Sequence, residues 1–244
     1  MSDPLVYNPA ETFPVCRRML SEPQWQEFLA LLAPAANPAE LSRLLGDPAL
    51  AVPGAPPYLL DLARLELALC LARQEAPVSG PLEQYTVNPS LQVFEFSWSG
   101  LPHLLEEDTQ PVQQPEVVLV WCDPETGTPQ AQTAKAEDLL ALKMVAEGID
   151  PRQAAALGEL SVGAILGTLA HAADKGILLA PASRIRRDAH SFPITEAVEP
   201  RFLFAEVFTL QWHITQVCDL HCKHCYDRSD RAPLPLARGL AVLD

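Results

Sequence analysis

The chain has 244 residues, of which 48% are hydrophobic and 20% are charged, so it is long and apolar enough for one or two folded domains. Its formal net charge of −14 opposes contact with nucleic acid or an anionic membrane surface, because both are negatively charged. The N-terminus lacks the basic start and apolar core of a secretory signal, and no apolar run reaches the roughly 18 residues of a membrane span. We therefore expect a cytoplasmic protein with neither a nucleic-acid partner nor a membrane.

Residues 1–75 predict a helical bundle. In SEPQWQEFLALLA, Ser21 and Gln24 have the spacing of a capping box, and an apolar stripe at helical spacing follows them. NPAELSRLLG predicts a short helix that begins after Asn37. PYLLDLARLELALCLAR is apolar on most sides, which indicates the central helix of the bundle. The Pro and Gly residues around 76–82 then mark a linker.

Two strands are predicted after the linker. In LQVFEFSW, strict alternation places Phe94, Phe96 and Trp98 on one face of a strand. EVVLVWC is a short apolar run rich in β-branched residues, and DPETG after it has the composition of a turn. We expect both strands to belong to the same small sheet.

Three helices and a closing strand follow. The first helix is predicted over Glu137–Glu147, the second begins after Asp150, and the third begins after Ser161. ILLAP then indicates a returning strand. The third helix has an apolar stripe made of Val162, Ile165, Leu166 and Leu169. We therefore predict that residues 83–190 form strands joined to a winged-helix module.

A winged-helix module has more than one use. For DNA binding, its third helix would supply base contacts from Arg, Asn or Gln, yet this helix carries only Lys175 as a cation. Between Lys135 and Asp188 the sequence has seven basic and seven acidic residues, so there is no basic footprint. A purely structural module and a peptide-binding module remain open.

The strands, the three helices and the ending DKGILL resemble the leader-peptide recognition element of enzymes that modify ribosomally made peptides. The resemblance implies that the leader of a precursor peptide adds as a strand to an exposed sheet edge, against the third helix. The aromatic face of Phe94, Phe96 and Trp98 would either supply pockets for that peptide or belong to the core.

A cysteine cluster, Cys218, Cys222 and Cys225, occupies a C-x-x-x-C-x-x-C loop near the end of the sequence. Thiolates are soft ligands that select iron–sulfur clusters, zinc or copper(I). A structural zinc site would need a fourth protein ligand, for which the nearby candidates are His213, His221 and His224. An iron–sulfur cluster with one open iron would need no further ligand.

LQWHITQVCDLHCKHCY resembles the start of radical SAM (S-adenosylmethionine) enzymes, in which a strand runs into the cluster loop. The resemblance implies that Cys218, Cys222 and Cys225 bind three irons of a [4Fe–4S] cluster while the fourth iron binds SAM. Reduction by an electron donor such as ferredoxin or flavodoxin would give a 5′-deoxyadenosyl radical. The resemblance also assigns Tyr226 to the lining of the cofactor site, and a packing role for Tyr226 is the alternative.

Taken with the helical region and the winged-helix module, the loop resembles selenobiotic-type peptide maturases, which are radical SAM proteins that act on ribosomally made peptides. The resemblance implies an α+β protein whose residues 203–244 are the first βα unit of a truncated barrel, with PLPLARGLAVLD as its first helix. This chain is then expected to be the N-terminal part of a longer enzyme and inactive alone. The alternative is a non-catalytic peptide-binding or regulatory protein with a structural zinc site.

Overall fold

The computed structural model describes residues 8–47, 49–73, 81–107, 109–182, 223–224 and 235–243 of the chain. It divides into two compact units, Met1–Ala182 and Ser183–Asp244. In the described residues helices accompany small antiparallel sheets, in agreement with the predicted α+β class. The helices are α1 (Pro9–Thr12), α2 (Pro14–Met19), α3 (Glu22–Leu32), α4 (Pro38–Leu45), α5 (Leu59–Ala72), α6 (Leu101–Glu106), α7 (Ala136–Glu147), α8 (Pro151–Gly158), α9 (Val162–Asp174) and α10 (Leu236–Leu243). The strands are β1 (Thr86–Val87), β2 (Gln92–Phe96), β3 (Glu116–Cys122), β4 (Pro129–Thr133) and β5 (Leu178–Leu179).

The helices predicted in the first part of the chain are confirmed. Ser21 and Gln24 form the predicted capping box at the start of α3, where the Ser21 N–H donates to Gln24 Oε1 at 3.0 Å. Asn37 caps α4 by accepting from the Glu40 N–H at 2.9 Å. More than half of the residues of α5 are buried, which fits its prediction as the central helix.

The main sheet has the order β2-β3-β4, and both pairs are antiparallel. Phe94 lies opposite Val118, and Val118 lies opposite Thr133. Residues that face each other across antiparallel strands share a side of the sheet, so Val118 and Val120 bring Ala131 and Thr133 to the α5 side. Strand β4 was not predicted, because the sequence PQAQT lacks the β-branched and apolar alternation of a strand.

The aromatic face of β2 belongs to the core that the sheet shares with the N-terminal helices. Phe96 is 2% exposed, and Phe94 and Trp98 pack against the same cluster. The guanidinium carbon of Arg64, on α5, lies 5.2 Å from the ring centroid of Phe96 and 5.9 Å from that of Phe94. Of the two interpretations left open for this face, the structure supports the core one, since all three aromatic side chains belong to or pack against this cluster.

The opposite face of the sheet is covered by the three helices that the sequence predicted. Leu119 and Trp121 of β3 pack with buried residues of α7, α8 and α9. The axes of α8 and α9 turn by 117°, which is a helix-turn-helix angle. The returning strand is also confirmed, as β5 pairs antiparallel with β1.

The predicted helical bundle and the predicted strand-and-helix module lie in one compact unit. Helix α5 packs against β2, β3 and β4, and one apolar cluster runs from Phe13 to Val120. Residues 76–80 of the predicted linker lie outside the described residues. Helix α6, which the sequence did not predict, packs against α5 and β4.

In the second unit, the structure describes the turn Lys223–His224 and helix α10. Helix α10 confirms a helix within PLPLARGLAVLD, over Leu236–Leu243. The strand expected before the cysteine loop lies outside the described residues. Within the described part of the chain, no single helix has the length and apolar character to cross a membrane, and α8 and α9 meet those limits only as a bent pair.

Candidate peptide-binding surface and cysteine loop

The predicted cofactor ligands Cys218, Cys222 and Cys225, and Tyr226 beside them, lie outside the described residues. Between the last two cysteines, Lys223 and His224 form an exposed turn. The cluster, SAM and zinc assignments therefore stay predictions. In the described ranges, no group of three or more His, Cys, Asp or Glu side chains is arranged to hold a metal ion.

The upstream cysteines Cys16 and Cys122 are free thiols. Cys16 is fully buried, and its pKa is raised well above 9.0 by burial and by the neighbouring Glu66 carboxylate. Cys70 and Cys122 are only partly buried. A thiol with a raised pKa stays protonated at neutral pH and is a poor nucleophile and a poor metal ligand, so Cys16 fits a packing role.

Strand β4 has an outer edge that no other strand occupies among the described residues. The Ala134 N–H donates to the Val117 carbonyl at 2.8 Å, which fixes the phase of the ladder between β3 and β4. By alternation, Gln130 and Gln132 direct their backbone groups toward β3, while Ala131 and Thr133 direct theirs outward. The outward groups can pair with an added strand.

A surface that we call the apolar helix surface lies on α8, α9 and the turn between them, and consists of Leu157, Leu160, Val162 and Leu166. The side chain of Leu157 is 79% exposed, that of Leu160 53% and that of Leu166 46%. Of the predicted apolar stripe of α9, Ile165 and Leu169 are buried, whereas Val162 and Leu166 are exposed. Exposed apolar side chains this close together in the sequence make the surface a candidate for contact with another molecule.

Helix α9 is capped at its start and fixed to α7 and to the sheet at its end. At its start, Ser161 Oγ accepts from the Ala164 N–H at 3.1 Å. At its end, Lys175 Nζ donates to Asp138 Oδ1 at 2.7 Å, and Trp121 Nε1 donates to the Lys175 carbonyl at 2.9 Å. The apolar helix surface is therefore presented on an anchored element.

A buried polar network joins the turn after α9 to the sheet, and it could not be predicted from two polar residues in a turn. Asn88 Nδ2 donates to the Gly176 carbonyl at 2.7 Å and to the Cys122 carbonyl at 2.9 Å. Ser90 Oγ donates to Asn88 Oδ1 at 2.7 Å and accepts from the Cys122 N–H at 2.9 Å. Every polar atom of the Asn88 amide is used, which suits a buried position.

The charge of α9 does not suit nucleic acid. From Val162 to Ala170 the helix has no ionisable side chain. The first basic residues at its end are His171, which faces Glu137, and Lys175, which is paired with Asp138. A DNA-binding helix would present cations and amides to the phosphates and bases.

Comparison with known proteins adds no assignment. No protein-family model matches the chain, and no curated protein matches it. The function must therefore be argued from the cysteine loop in the sequence and from the surfaces described above.

Proposed function

We propose that this chain is the N-terminal part of a radical SAM enzyme that modifies a ribosomally synthesised peptide. The observation that carries the proposal is the C-x-x-x-C-x-x-C spacing of Cys218, Cys222 and Cys225. Three thiolates from one loop suit a [4Fe–4S] cluster, because they are soft ligands and leave one iron open for SAM. Cluster and SAM together supply a 5′-deoxyadenosyl radical.

In this proposal, the unit that ends at Ala182 recognises the precursor peptide. The leader peptide pairs with the outer edge of β4, where backbone groups of Ala131 and Thr133 point outward. Gln130 and Gln132 share a sheet side with Trp121 and Leu119, which α7 and α9 cover. Alternate side chains of the added strand therefore project toward the helical side, where the apolar helix surface is exposed.

Recognition and chemistry by one chain have a physical advantage. A leader bound to one part of the protein raises the effective concentration of the attached core peptide for another part, often to the millimolar range. Affinity then comes from the leader, and the reacting residue needs few contacts of its own. The bound leader thus selects the substrate, and the cysteine loop determines the reaction.

The test of the cysteine loop is anaerobic reconstitution with iron and sulfide, followed by analysis of iron, acid-labile sulfide and zinc. We expect iron and sulfide in the unchanged protein and their loss in Cys218→Ala, Cys222→Ala and Cys225→Ala. Cys122→Ala is the matched control, because that thiol lies in β3 and is a free cysteine outside the loop. Iron that survives in all three loop variants would refute the proposal. Zinc without sulfide, lost in the same variants, would favour the structural zinc site instead.

A further inference from the structure

An open cavity of about 350 Å³ lies where the N-terminal helices meet the end of β4. Its walls come from α1, α2, α5, α6 and β4. The charged groups in the wall are the carboxylates of Glu11, Glu66 and Glu106 and the guanidinium of Arg73. Leu69 and Leu105 supply apolar surface between them. The cavity therefore has an apolar wall and an excess of negative charge.

The cavity adjoins the outer edge of β4. Pro129 and Ala131 line it, and both lie on the α5 side of the sheet, because they face Cys122 and Val120 across the ladder. A strand added beside β4 would also alternate its side chains between the two sides. Every second side chain of such a strand projects toward the α5 side, and those near Ala131 reach the mouth of the cavity.

The carboxylates of the cavity are of two kinds. Glu66 is buried and accepts hydrogen bonds from the Val15 N–H at 2.6 Å and the Cys16 N–H at 3.1 Å, so it is committed to holding the start of α2. Glu11 and Glu106 are exposed at the mouth. Glu11 also accepts from Asn8 Nδ2 at 2.8 Å. Among the residues that line the cavity, the carboxylates outnumber the cation Arg73, so the mouth attracts a cation. The apolar wall suits the aliphatic stem of a long basic side chain.

We propose that this cavity is the pocket for a Lys or Arg side chain of the peptide that pairs with β4. The inference rests on the proposed peptide binding and adds the chemical class of one peptide side chain that the protein recognises. The net charge of −14 acts in the same direction, since it attracts a basic peptide over longer distances. In this pocket, the charged group of the Lys or Arg side chain lies between Glu11 and Glu106, and its aliphatic part packs on Leu69 and Leu105.

The experiment is selection of phage-displayed random dodecapeptides on the full chain, with counter-selection on Ala131→Pro. That substitution removes an outward N–H of β4 while the backbone bonds of Gln130 and Gln132 to β3 remain. We expect the selected peptides to share a Lys or Arg at one position. Replacing that residue by norleucine in a synthetic peptide should weaken binding about tenfold at low salt, and less at high salt.

Two variants of the protein test the pocket directly. Glu11→Gln combined with Glu106→Gln should bind the basic peptide about as weakly as the unchanged protein binds the norleucine peptide. Arg73→Gln should bind the basic peptide more tightly, because it removes the opposing cation. Circular dichroism and thermal unfolding establish that each variant is folded.

The outcomes separate the pocket from the peptide-binding proposal. If no selected peptide depends on Ala131, strand pairing with β4 is wrong and the pocket falls with it. If peptides depend on Ala131 but share no basic residue, or bind the double Gln variant equally well, only the pocket is wrong. A shared acidic or purely apolar residue at the pocket position would overturn the pocket in the same way.

Discussion

Lys175 and Asp138 form an ion pair of 2.7 Å that joins the end of α9 to the start of α7, with the Asp138 side chain only 1% exposed. The same carboxylate accepts from the Lys135 N–H at 3.1 Å and from Gln132 Nε2, on β4, at 3.2 Å. One buried acid therefore holds two helices and the edge strand together. These are the elements on which the proposed peptide-binding surface depends.

Removing that acid should destabilise the protein strongly. Asp138→Ala leaves the partly buried Lys175 ammonium without its partner and removes two further hydrogen bonds, which should lower the free energy of unfolding by about 3 to 5 kcal/mol. Urea unfolding followed by circular dichroism measures the change. The matched control is Glu137→Ala, the adjacent residue of α7, whose pair with His171 is 4.0 Å long and about half exposed. The control should change stability by no more than about 0.5 kcal/mol, and equal losses in the two variants would contradict the role of Asp138.

Gly176 should not tolerate a side chain. Its φ of +77° lies in the left-handed region, and an added Cβ would come 2.6 Å from Pro124 Cδ and 3.3 Å from Trp121 Nε1. We expect Gly176→Ala to lower the free energy of unfolding by about 2 kcal/mol or more, through backbone strain and displacement of the turn that Asn88 binds. Thermal and urea unfolding measure this loss.

Two other glycines separate the causes of that loss. Gly148 also has a positive φ, of +64°, but an added Cβ meets nothing within 4 Å, so Gly148→Ala should cost about 1 kcal/mol from strain alone. Gly167 lies within α9 with open space around it, and Gly167→Ala should stabilise the helix by about 0.5 to 1 kcal/mol. If all three substitutions have the same effect, the contact with Pro124 is unimportant.

The local elements could be predicted because their signals are local. The structure contains the predicted helix caps and the predicted alternation in β2, because each depends on only a few neighbouring residues. The caps are at Ser21, Asn37 and Ser161. Strand β4 could not be predicted, because PQAQT becomes a strand only by pairing with β3. The edge on which the proposed peptide binding depends was therefore absent from the sequence-based account.

Helix α9 itself could be predicted, but which of its apolar side chains are buried was harder to predict. Ile165 and Leu166 are adjacent, yet Ile165 is buried against the sheet and Leu166 is exposed. A broad apolar stripe does not predict which of its side chains become buried, since that depends on how α9 packs on α7 and β3. The cysteine loop, by contrast, was found from spacing alone, and it lies outside the described residues.

Phe96 should be important for stability and unimportant for peptide recognition. It is 2% exposed and contacts Arg64 and the N-terminal helices, so Phe96→Ala should lower the free energy of unfolding by about 3 to 5 kcal/mol. Val93 is on the same strand with a side chain that is 54% exposed, and Val93→Ala should change stability by about 0.5 kcal/mol or less. Chemical denaturation measures the free energy of unfolding of both variants. A small loss of stability for Phe96→Ala would make the aromatic face a candidate peptide pocket again.

Glu66 should make stability depend on pH. Burial raises the pKa of this carboxyl above its ordinary 4.5, even though the hydrogen bonds from Cys16 and Val15 lower it. A carboxyl whose pKa is higher in the folded state contributes stability below the unfolded-state pKa and loses it as pH rises through the folded-state pKa. The unchanged protein should therefore lose stability relative to Glu66→Gln as pH rises from about 4.5 toward neutrality. Urea titrations at several pH values measure the difference, and a difference that is constant with pH would contradict the raised pKa.

Leu166 should affect peptide binding without affecting the fold. Its side chain is 46% exposed on α9, so Leu166→Asp loses little buried area, while it places a charge on the apolar helix surface. We expect binding of fluorescein-labelled peptides, taken from the phage selection described above, to weaken about tenfold or more in fluorescence anisotropy. The thermal midpoint should stay within about 3 °C of that of the unchanged protein.

The neighbouring Leu169 provides the contrast, because it is 4% exposed within the core beneath the same helix. Leu169→Asp buries an unpaired charge and should unfold the module, with loss of both structure and binding. A peptide that binds Leu166→Asp as tightly as the unchanged protein does not use α9, since the charge would lie in its path. In that case only the β4 edge and its cavity would remain as the proposed peptide-binding site.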